Sequence, residues 1–252
     1  MLKGQWKFLW LLILLMPVAI WWKAQLTFES NTIDSFVHLV ESQKPGIDQV
    51  IAMSDLLGSF AEQKKLWNEE HAFPANQMAR VGTNSTSFAM LGQGACGWAS
   101  ELAVGCFDQL GYPTRFVHIL DAQGIARHIV MDLQLPNGEW VVFDALLNHL
   151  YLDENSGLPI ASNELNLHWK SICEDLPHKG VCQYSFQHGV RHTNWAKFGV
   201  LKVPVKTVSE WLGIESLRAF WVSKRASLCN ALLMLELLLV VWLCVEFRER
   251  LK

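Results

Sequence analysis

The chain has 252 residues, of which 51% are hydrophobic, and it contains 12 tryptophans. Its formal net charge of −3 and its isoelectric point near 6.3 argue against a nucleic-acid-binding protein, which is expected to be basic. The length suffices for one folded domain with additional segments, and no internal repeat or low-complexity tract interrupts it.

The first apolar segment, residues 8–22, contains no charged residue, although lysines precede and follow it. A helix of this length is short for a bilayer core of about 30 Å, but snorkelling lysines and interfacial tryptophans extend its reach. A cleaved signal peptide is the alternative interpretation. Because Trp21, Trp22 and Lys23 are poor cleavage-site residues, the sequence favours an uncleaved membrane anchor over residues 1–25.

The second apolar segment, residues 226–247, carries Glu236 near its middle, where a carboxyl group is costly unless it faces a partner helix. It belongs to a predicted transmembrane helix and cytoplasmic tail over residues 224–252. Basic residues before the first segment and after the second predict that both ends are cytoplasmic, although Lys224 and Arg225 weigh against this orientation. We therefore expect an inner-membrane protein with two spans and a periplasmic main domain, residues 26–205.

The central part of the chain predicts helices followed by strands. The predicted helices cover residues 32–43, 47–67 and 96–110, and the predicted strands cover residues 114–120, 126–135 and 139–144. A loop is expected over residues 71–94, and Gly111 is a natural helix cap. This order predicts an α+β fold in which a helix packs on an antiparallel sheet.

The segment that follows the strands is harder to interpret. Residues 145–205 show no clear periodicity, and we expect them to be irregular. Residues 207–221, within a juxtamembrane segment 206–223, predict one amphipathic helix that lies either in the membrane interface or on an ordinary protein surface.

Cys96 stands between Ala95 and Gly97 at the predicted start of the third helix. The free N–H groups and the positive dipole end of a helix N-terminus stabilise a thiolate and lower the pKa of a thiol there. A buried structural cysteine is the alternative, and the neighbouring glycines favour the nucleophile because they allow a substrate backbone to approach.

A nucleophilic thiol needs a base, and the base needs an orienting group. His128 and Asp144 are candidates, provided that a three-residue hairpin loop, residues 136–138, sets the register of their two strands. Asp144 then lies opposite Val130, on the same sheet face as His128 and within reach of it. His118 is the alternative base, and Asp132 lies too far along its own strand from His128.

Residues 90–150 resemble the transglutaminase-like superfamily, a papain-related group of cysteine enzymes. The resemblance rests on a Gly-x-Cys at a helix start, a Gly-x-Pro-x-Arg before a strand, a His that opens a strand and an Asp that closes the next one after Gly-x-Trp. The matching residues here are Gly94, Cys96, Gly111, Pro113, Arg115, His128, Gly138, Trp140 and Asp144. Ile129 and Ala145 depart from the pattern, since the family often has an aromatic residue and a Pro, Ser or Thr at those positions.

The resemblance implies a papain/transglutaminase-like core with a catalytic triad of Cys96, His128 and Asp144, and the two apolar segments would flank this core as transmembrane helices. Cys96 would form a thioester with an amide or ester carbonyl, His128 would transfer the proton, and Asp144 would orient His128. The Cys96 N–H would bind the oxyanion together with a second donor, for which Gln93 is the candidate and Trp98 lies behind it. No cofactor is implied.

The other cysteines are expected to have structural roles rather than catalytic ones. Cys106 is expected in the core, and Cys229 and Cys244 lie in the second apolar segment. Cys173 and Cys182 are a candidate disulfide outside the cytoplasm. A zinc site formed by these two with His188 and His192 is disfavoured, because the spacing matches no common ligand pattern.

Two functions follow from the sequence. The first is a membrane-anchored cysteine acyl-transfer enzyme, a hydrolase or a transferase, that acts on protein or peptide amides. The alternative is a non-catalytic module of the same fold that assembles cell-envelope or polysaccharide-export machinery, since a fold does not by itself determine activity.

Overall fold

The computed structural model describes residues 2–70, 96–121, 123–153, 156–175 and 189–250. The α-helices are α1 (Leu2–Val40), α2 (Ile47–Glu70), α3 (Cys96–Gln109), α4 (Leu165–Asp175), α5 (Lys202–Trp211) and α6 (Leu217–Arg250), with a 3-10 helix at Trp195–Leu201. The strands are β1 (Thr114–Leu120), β2 (Ala126–Gln134), β3 (Trp140–Asp144), β4 (His149–Leu150) and β5 (Val190–Arg191).

The five strands form one sheet in the order β4-β3-β2-β1-β5, and every neighbouring pair is antiparallel. The predicted α+β class is therefore confirmed. Helix α3 ends at Gln109, and Gly111, the predicted helix cap, has a φ of +87°. The N–H of Tyr112, the next residue, donates a hydrogen bond to the Phe107 carbonyl. This is the left-handed helix ending that favours glycine.

The hairpin between β2 and β3 has the predicted three-residue loop. The Leu135 N–H donates to the Glu139 carbonyl, and Gly138 has a φ of +90°. Met131 consequently pairs with Phe143, and Gln134 with Trp140. This register places Asp144 on the same sheet face as His128, because side chains alternate along a strand.

Each face of the sheet is covered by a separate apolar cluster. One face packs against α1, α2 and α3, and its buried strand residues include Phe116, Met131 and Phe143. The other face, which includes Val130, packs against the segment after β3 and against α4. His128 and Asp144 belong to this second face by strand alternation.

The chain divides into two compact units, which we describe separately. Residues 32–223 form the larger unit and contain the sheet. Residues 1–31 and 224–252 form the smaller unit, in which Arg225 and Glu29 make an ion pair with both side chains nearly buried. These limits place the boundaries at 31/32 and 223/224, whereas the sequence predicted the main domain over residues 26–205.

Three element predictions need correction. α1 is one continuous helix rather than an anchor followed by a separate helix at 32–43. The single helix expected over 207–221 is divided, because α5 ends at Trp211 and Gly213, with a φ of +68°, turns the chain before α6 begins. The segment 145–205, predicted to be irregular, contains α4, β4 and β5.

Among the described residues, one helical stretch is long and apolar enough to cross a membrane, Leu217–Leu243. It includes most of the second predicted span. The first predicted span falls within α1, and most of its side chains lie outside the described part of the structure. Within α6, Glu236 has a buried Oε1 without a hydrogen-bond partner among the described residues.

Candidate active site

Cys96 is the first residue of α3, and its thiol is half-buried at the N-terminal end of that helix. Two contacts fix its position: the side chain of His128 and the backbone N–H of Ile129, both on β2, lie within hydrogen-bonding distance of the sulfur. The predicted placement of a cysteine at a helix start is therefore confirmed, and the helix brings it to the strand that carries the candidate base.

The unequal lengths of β2 and β3 create room for the thiol. The register of the two strands begins at Met131 on β2, so Ile129 lies beyond the part of β2 that β3 pairs with. The backbone groups of Ile129 instead serve α3. Its carbonyl accepts a hydrogen bond of 3.1 Å from the buried Ser100 Oγ, and its N–H contacts Cys96. These bonds satisfy strand groups that would otherwise be unpaired.

His128 and Asp144 are buried side by side. The Nε2 atom of His128 is 2.5 Å from Oδ2 of Asp144, and the two side chains are 5% and 0% exposed. This contact leaves Nδ1 as the ring nitrogen available to Cys96. The predicted diagonal contact between the two strands is confirmed.

Asp144 is itself held by the turn that follows β3. Its Oδ1 accepts hydrogen bonds from the N–H groups of Leu146 and Leu147, at 3.0 and 3.1 Å. Tyr151 is fully buried nearby, and burial followed by the negative charge of Asp144 raises the pKa of its hydroxyl well above the ordinary value. The carboxylate therefore faces a histidine, two amide donors and a phenol that stays protonated.

The electrostatics of the site favour a thiolate–imidazolium pair. Burial by itself raises the pKa of Cys96, but the hydrogen bond and the charge of His128 outweigh it, so the pKa lies below 9.0. Burial by itself lowers the pKa of His128, but Asp144 and Cys96 raise it from 6.5 to about 10. Because the pKa of His128 lies above that of Cys96, Cys96 loses its proton first and the proton that the pair retains resides on His128.

The alternative residues for the triad lie elsewhere. His118 pairs with Ile129 across β1 and β2, so its side chain lies on the sheet face opposite to that of His128. Asp132 is fully buried and binds Arg115 Nε at 2.9 Å and Ser162 Oγ at 2.6 Å. Burial raises its pKa more than these two partners lower it. Asp132 is thus occupied by a structural network.

Two further residues of the family pattern belong to that network. Arg115 also binds Glu215 at 2.8 Å, and its guanidinium lies 3.9 Å from the centre of the Trp140 ring. Such stacking and ion pairing suit an arginine that locks neighbouring strands together. Arg115 and Trp140 therefore support the sheet. The partners of Arg115 in these contacts are Asp132, Glu215 and Trp140, not Cys96 or His128.

The remaining site predictions stay open or lie outside the description. Trp98 is half-buried and packs against the core cluster next to α3. Gln93, Gly94, Cys182 and His188 lie outside the described residues, as does the side chain of Cys173. In the described ranges, no group of three or more His, Cys, Asp or Glu side chains is arranged to hold a metal ion.

No protein-family profile matches this chain. Comparisons with curated proteins and with solved structures also found no match. The geometry of the site and the sequence resemblance are thus the grounds for a functional proposal.

Sequence reasoning missed several groups around the site. The backbone N–H of Ile129 contacts Cys96, Tyr151 faces Asp144, and Ser100 binds the carbonyl of Ile129. The helical position of Ser100, four residues after Cys96, was a usable signal, because such residues share a helix face. The roles of Ile129 and Tyr151 depend on strand lengths and a tertiary turn that no local pattern reports.

Proposed function

We propose that this protein is a membrane-attached cysteine acyl-transfer enzyme with Cys96 as nucleophile, His128 as general acid and base, and Asp144 as the group that orients His128. The observation that supports it is the continuous series of contacts from the Cys96 thiol to the His128 imidazole and on to the Asp144 carboxylate. The carboxylate is buried and the thiol is half-exposed. Nucleophile, base and orienting group within hydrogen-bonding reach are the signature of covalent catalysis.

The proposed reaction begins with the proton already on His128. The Cys96 thiolate attacks the carbonyl carbon of an amide, and the Cys96 N–H stabilises the oxyanion, with Gln93 or Trp98 as candidate second donors. The C–N bond then breaks as imidazolium His128 gives its proton to the leaving amine, and a thioester remains. Water or an amine attacks that thioester, His128 takes the proton of the attacking group, and the thiolate leaves.

An activated ester tests this proposal without knowledge of the natural acyl donor. The full-length protein in detergent is mixed with p-nitrophenyl acetate, and the release of p-nitrophenolate is followed together with the mass of the Cys96 peptide. We expect a burst and an acetyl group on Cys96 that hydroxylamine removes. Cys96→Ala is the matched control and should give neither. Wild-type protein without burst or acetylation would instead favour the non-catalytic assembly module.

The membrane attachment rests on α6 and on the helix before it. The apolar stretch Leu217–Leu243 is long enough to span a bilayer. On α5, Val203, Val208 and Trp211 are 71%, 53% and 83% exposed, which is unusual for three large apolar side chains on one short helix. We infer that this face of α5 lies in the lipid headgroup region, because Lys206 and Glu210 on the same helix remain exposed to water.

The proposed orientation keeps the larger unit outside the cytoplasm. Arg225, which weighed against this orientation in the sequence, is neutralised by its ion pair with Glu29. A membrane-impermeant maleimide tests the orientation in a Cys96→Ala background. A cysteine introduced as Asn137→Cys, on the exposed β2–β3 loop, should react in intact cells, and Arg250→Cys should react only after lysis. The reverse pattern would contradict the orientation.

A further inference from the structure

His118 is a buried histidine that the proposed triad does not use. Its side chain is 6% exposed, and its Nδ1 has no hydrogen-bond partner among the described residues. Burial, followed by the charges of Arg218, Lys197, Arg191 and His192, lowers its pKa to about 4. At neutral pH it is an uncharged imidazole in a positive field, and leaving a buried ring nitrogen unpaired is costly.

Cationic and imidazole side chains converge on His118 from three elements. Arg191 on β5 is its cross-strand partner. His192 lies against Phe116, the β1 residue on the same face two positions earlier, with its Nδ1 3.1 Å from the Phe116 carbonyl. Arg218, at the start of α6, places its guanidinium 4.8 Å from the centre of the Phe116 ring.

Carboxylates compensate only part of this charge. Arg218 pairs with Glu101 at 2.9 Å. Within the described ranges, neither Arg191 nor Lys197 has a carboxylate in ion-pair distance, and the Arg191 guanidinium donates only to the Gly124 carbonyl, at 3.2 Å. The cluster therefore carries excess positive charge next to an unpartnered imidazole nitrogen.

This cluster adjoins the candidate nucleophile. Arg218 donates at 3.0 Å to the carbonyl of Gly97, the residue directly after Cys96. Ile129, which pairs with His118 across the sheet, is also the residue whose N–H contacts the Cys96 sulfur. The thiol and the basic cluster thus flank the same first turn of α3, whose dipole also favours negative charge.

We propose that His118, Arg191, Lys197 and Arg218 form a subsite that binds an anionic oxygen group, a carboxylate or a phosphate, of the molecule that Cys96 attacks. The His118 ring would supply a neutral donor, and the guanidinium and ammonium groups would supply charge-assisted donors. The role in substrate selection rests on the proposed acyl-transfer function, whereas the binding of the anion does not.

Anion binding is tested on the full-length Cys96→Ala protein in detergent, so that the result does not depend on acyl chemistry. Inorganic phosphate and acetate are titrated separately at constant ionic strength with chloride as balance, and the thermal unfolding midpoint is recorded. We expect phosphate, acetate or both to raise the midpoint, as ligands of the folded state do. Which of the two acts identifies the preferred anion, and no shift with either relative to chloride would overturn the proposal.

Variants separate specific binding from general screening. Arg191→Gln and Lys197→Met should each weaken anion binding about tenfold, the usual loss for one charge-assisted hydrogen bond. Arg127→Gln is the matched control, because Arg127 is an exposed arginine already paired with Asp121. An equal loss in all three variants would contradict a defined subsite.

A pair of activated esters tests the selection of substrate. The rate of acylation of wild-type Cys96 by mono-p-nitrophenyl succinate, which carries a carboxylate, is compared with that by p-nitrophenyl acetate. Lys197→Met should lower the ratio of the first rate to the second about tenfold. Equal effects on both esters would remove the assigned role. If neither ester acylates Cys96 while phosphate or acetate still binds, the acyl-transfer function fails and the anion site stands.

Discussion

The carboxylate of Asp144 reaches the imidazole of His128 through a diagonal step between two strands. Met131 and Phe143 form the last pair of β2 and β3, so Asp144 lies one position beyond that pair and His128 lies three positions before Met131 on β2. The two side chains meet across this diagonal, with His128 Nε2 2.5 Å from Asp144 Oδ2. A two-residue hairpin loop would have turned the carboxylate to the other face of the sheet.

Asp144→Asn is expected to lower the reactivity of Cys96 without unfolding the protein. The amide oxygen still accepts hydrogen bonds from Leu146 and Leu147, but the negative charge that raises the His128 pKa is gone. Because the charge and the hydrogen bond of His128 lower the pKa of Cys96, the thiolate fraction below pH 9.0 should fall, by a factor of ten for each unit by which the pKa of Cys96 rises. Iodoacetamide labelling of Cys96 measures this change. Glu139→Gln, on the exposed hairpin loop, is the control, and equal labelling of both variants would contradict the role of Asp144.

The coupled titration of Cys96 and His128 predicts a pH dependence of stability. The raised pKa of His128 gives stability that is fully present below about pH 6.5 and is lost as the pH rises to about 10. The lowered pKa of Cys96 acts in the opposite sense, because its contribution is present above 9.0 and is lost as the pH falls through the folded value. From the folded pKa of Cys96, or from about pH 6.5 if that is higher, up to pH 9, each state holds one proton, and the pair does not change the free energy of unfolding in this window.

Cys96→Ala should remove the flat window. His128 alone then keeps a proton that the unfolded chain releases above about pH 6.5, so its contribution to stability declines from that point upward. Thermal unfolding of the full chain in detergent, compared for wild type and variant across this range, isolates the pair, since other groups contribute equally to both. Parallel curves would show that Cys96 is not ionised by His128.

The fold around the site was predictable where local rules act. The Pro136-Asn137-Gly138 loop selects a three-residue turn, and that turn alone fixes the strand register and hence the contact between His128 and Asp144. Cys96 at a helix start follows from the helical pattern after it. These are short-range preferences that a single sequence records.

Other features depend on contacts that a local pattern does not record. Arg218 binds Gly97, which is 121 residues away, and His118 meets Arg191 across the sheet. Helix α4 left only a weak local signal, the helical spacing of Leu165, Trp169 and Ile172, which form its packed face. Three apolar positions among polar neighbours were too few to stand out beside the strongly apolar ends of the chain.

Arg115→Met should destabilise the sheet while leaving the thiol chemistry intact. Asp132 is fully buried, and removing its cationic partner leaves a carboxylate without a compensating charge. The expected loss is about 3–5 kcal/mol near neutral pH, and it should shrink in acid because protonated Asp132 needs no cation. Urea unfolding measures it. Lys206→Met, which breaks an exposed pair on α5, should cost at most about 0.5 kcal/mol.

Cys96 labelling of the Arg115→Met protein that remains folded separates an effect on the sheet from an effect on the thiol. Its Cys96 labelling profile should match that of wild type, because Arg115 contacts Asp132, Glu215 and Trp140, and none of these is a member of the candidate triad. A shifted profile in protein that remains folded would assign Arg115 to the site itself rather than to the sheet.

The rate of Cys96 alkylation by iodoacetamide as a function of pH, followed by mass spectrometry on the peptide that contains Cys96, tests the thiolate–imidazolium pair most directly. We predict near-maximal alkylation well below about pH 8, and in His128→Ala a shift of the profile towards the ordinary thiol value of 9.0. A wild-type profile that rises only near 9.0, or one that His128→Ala leaves unchanged, would contradict the account.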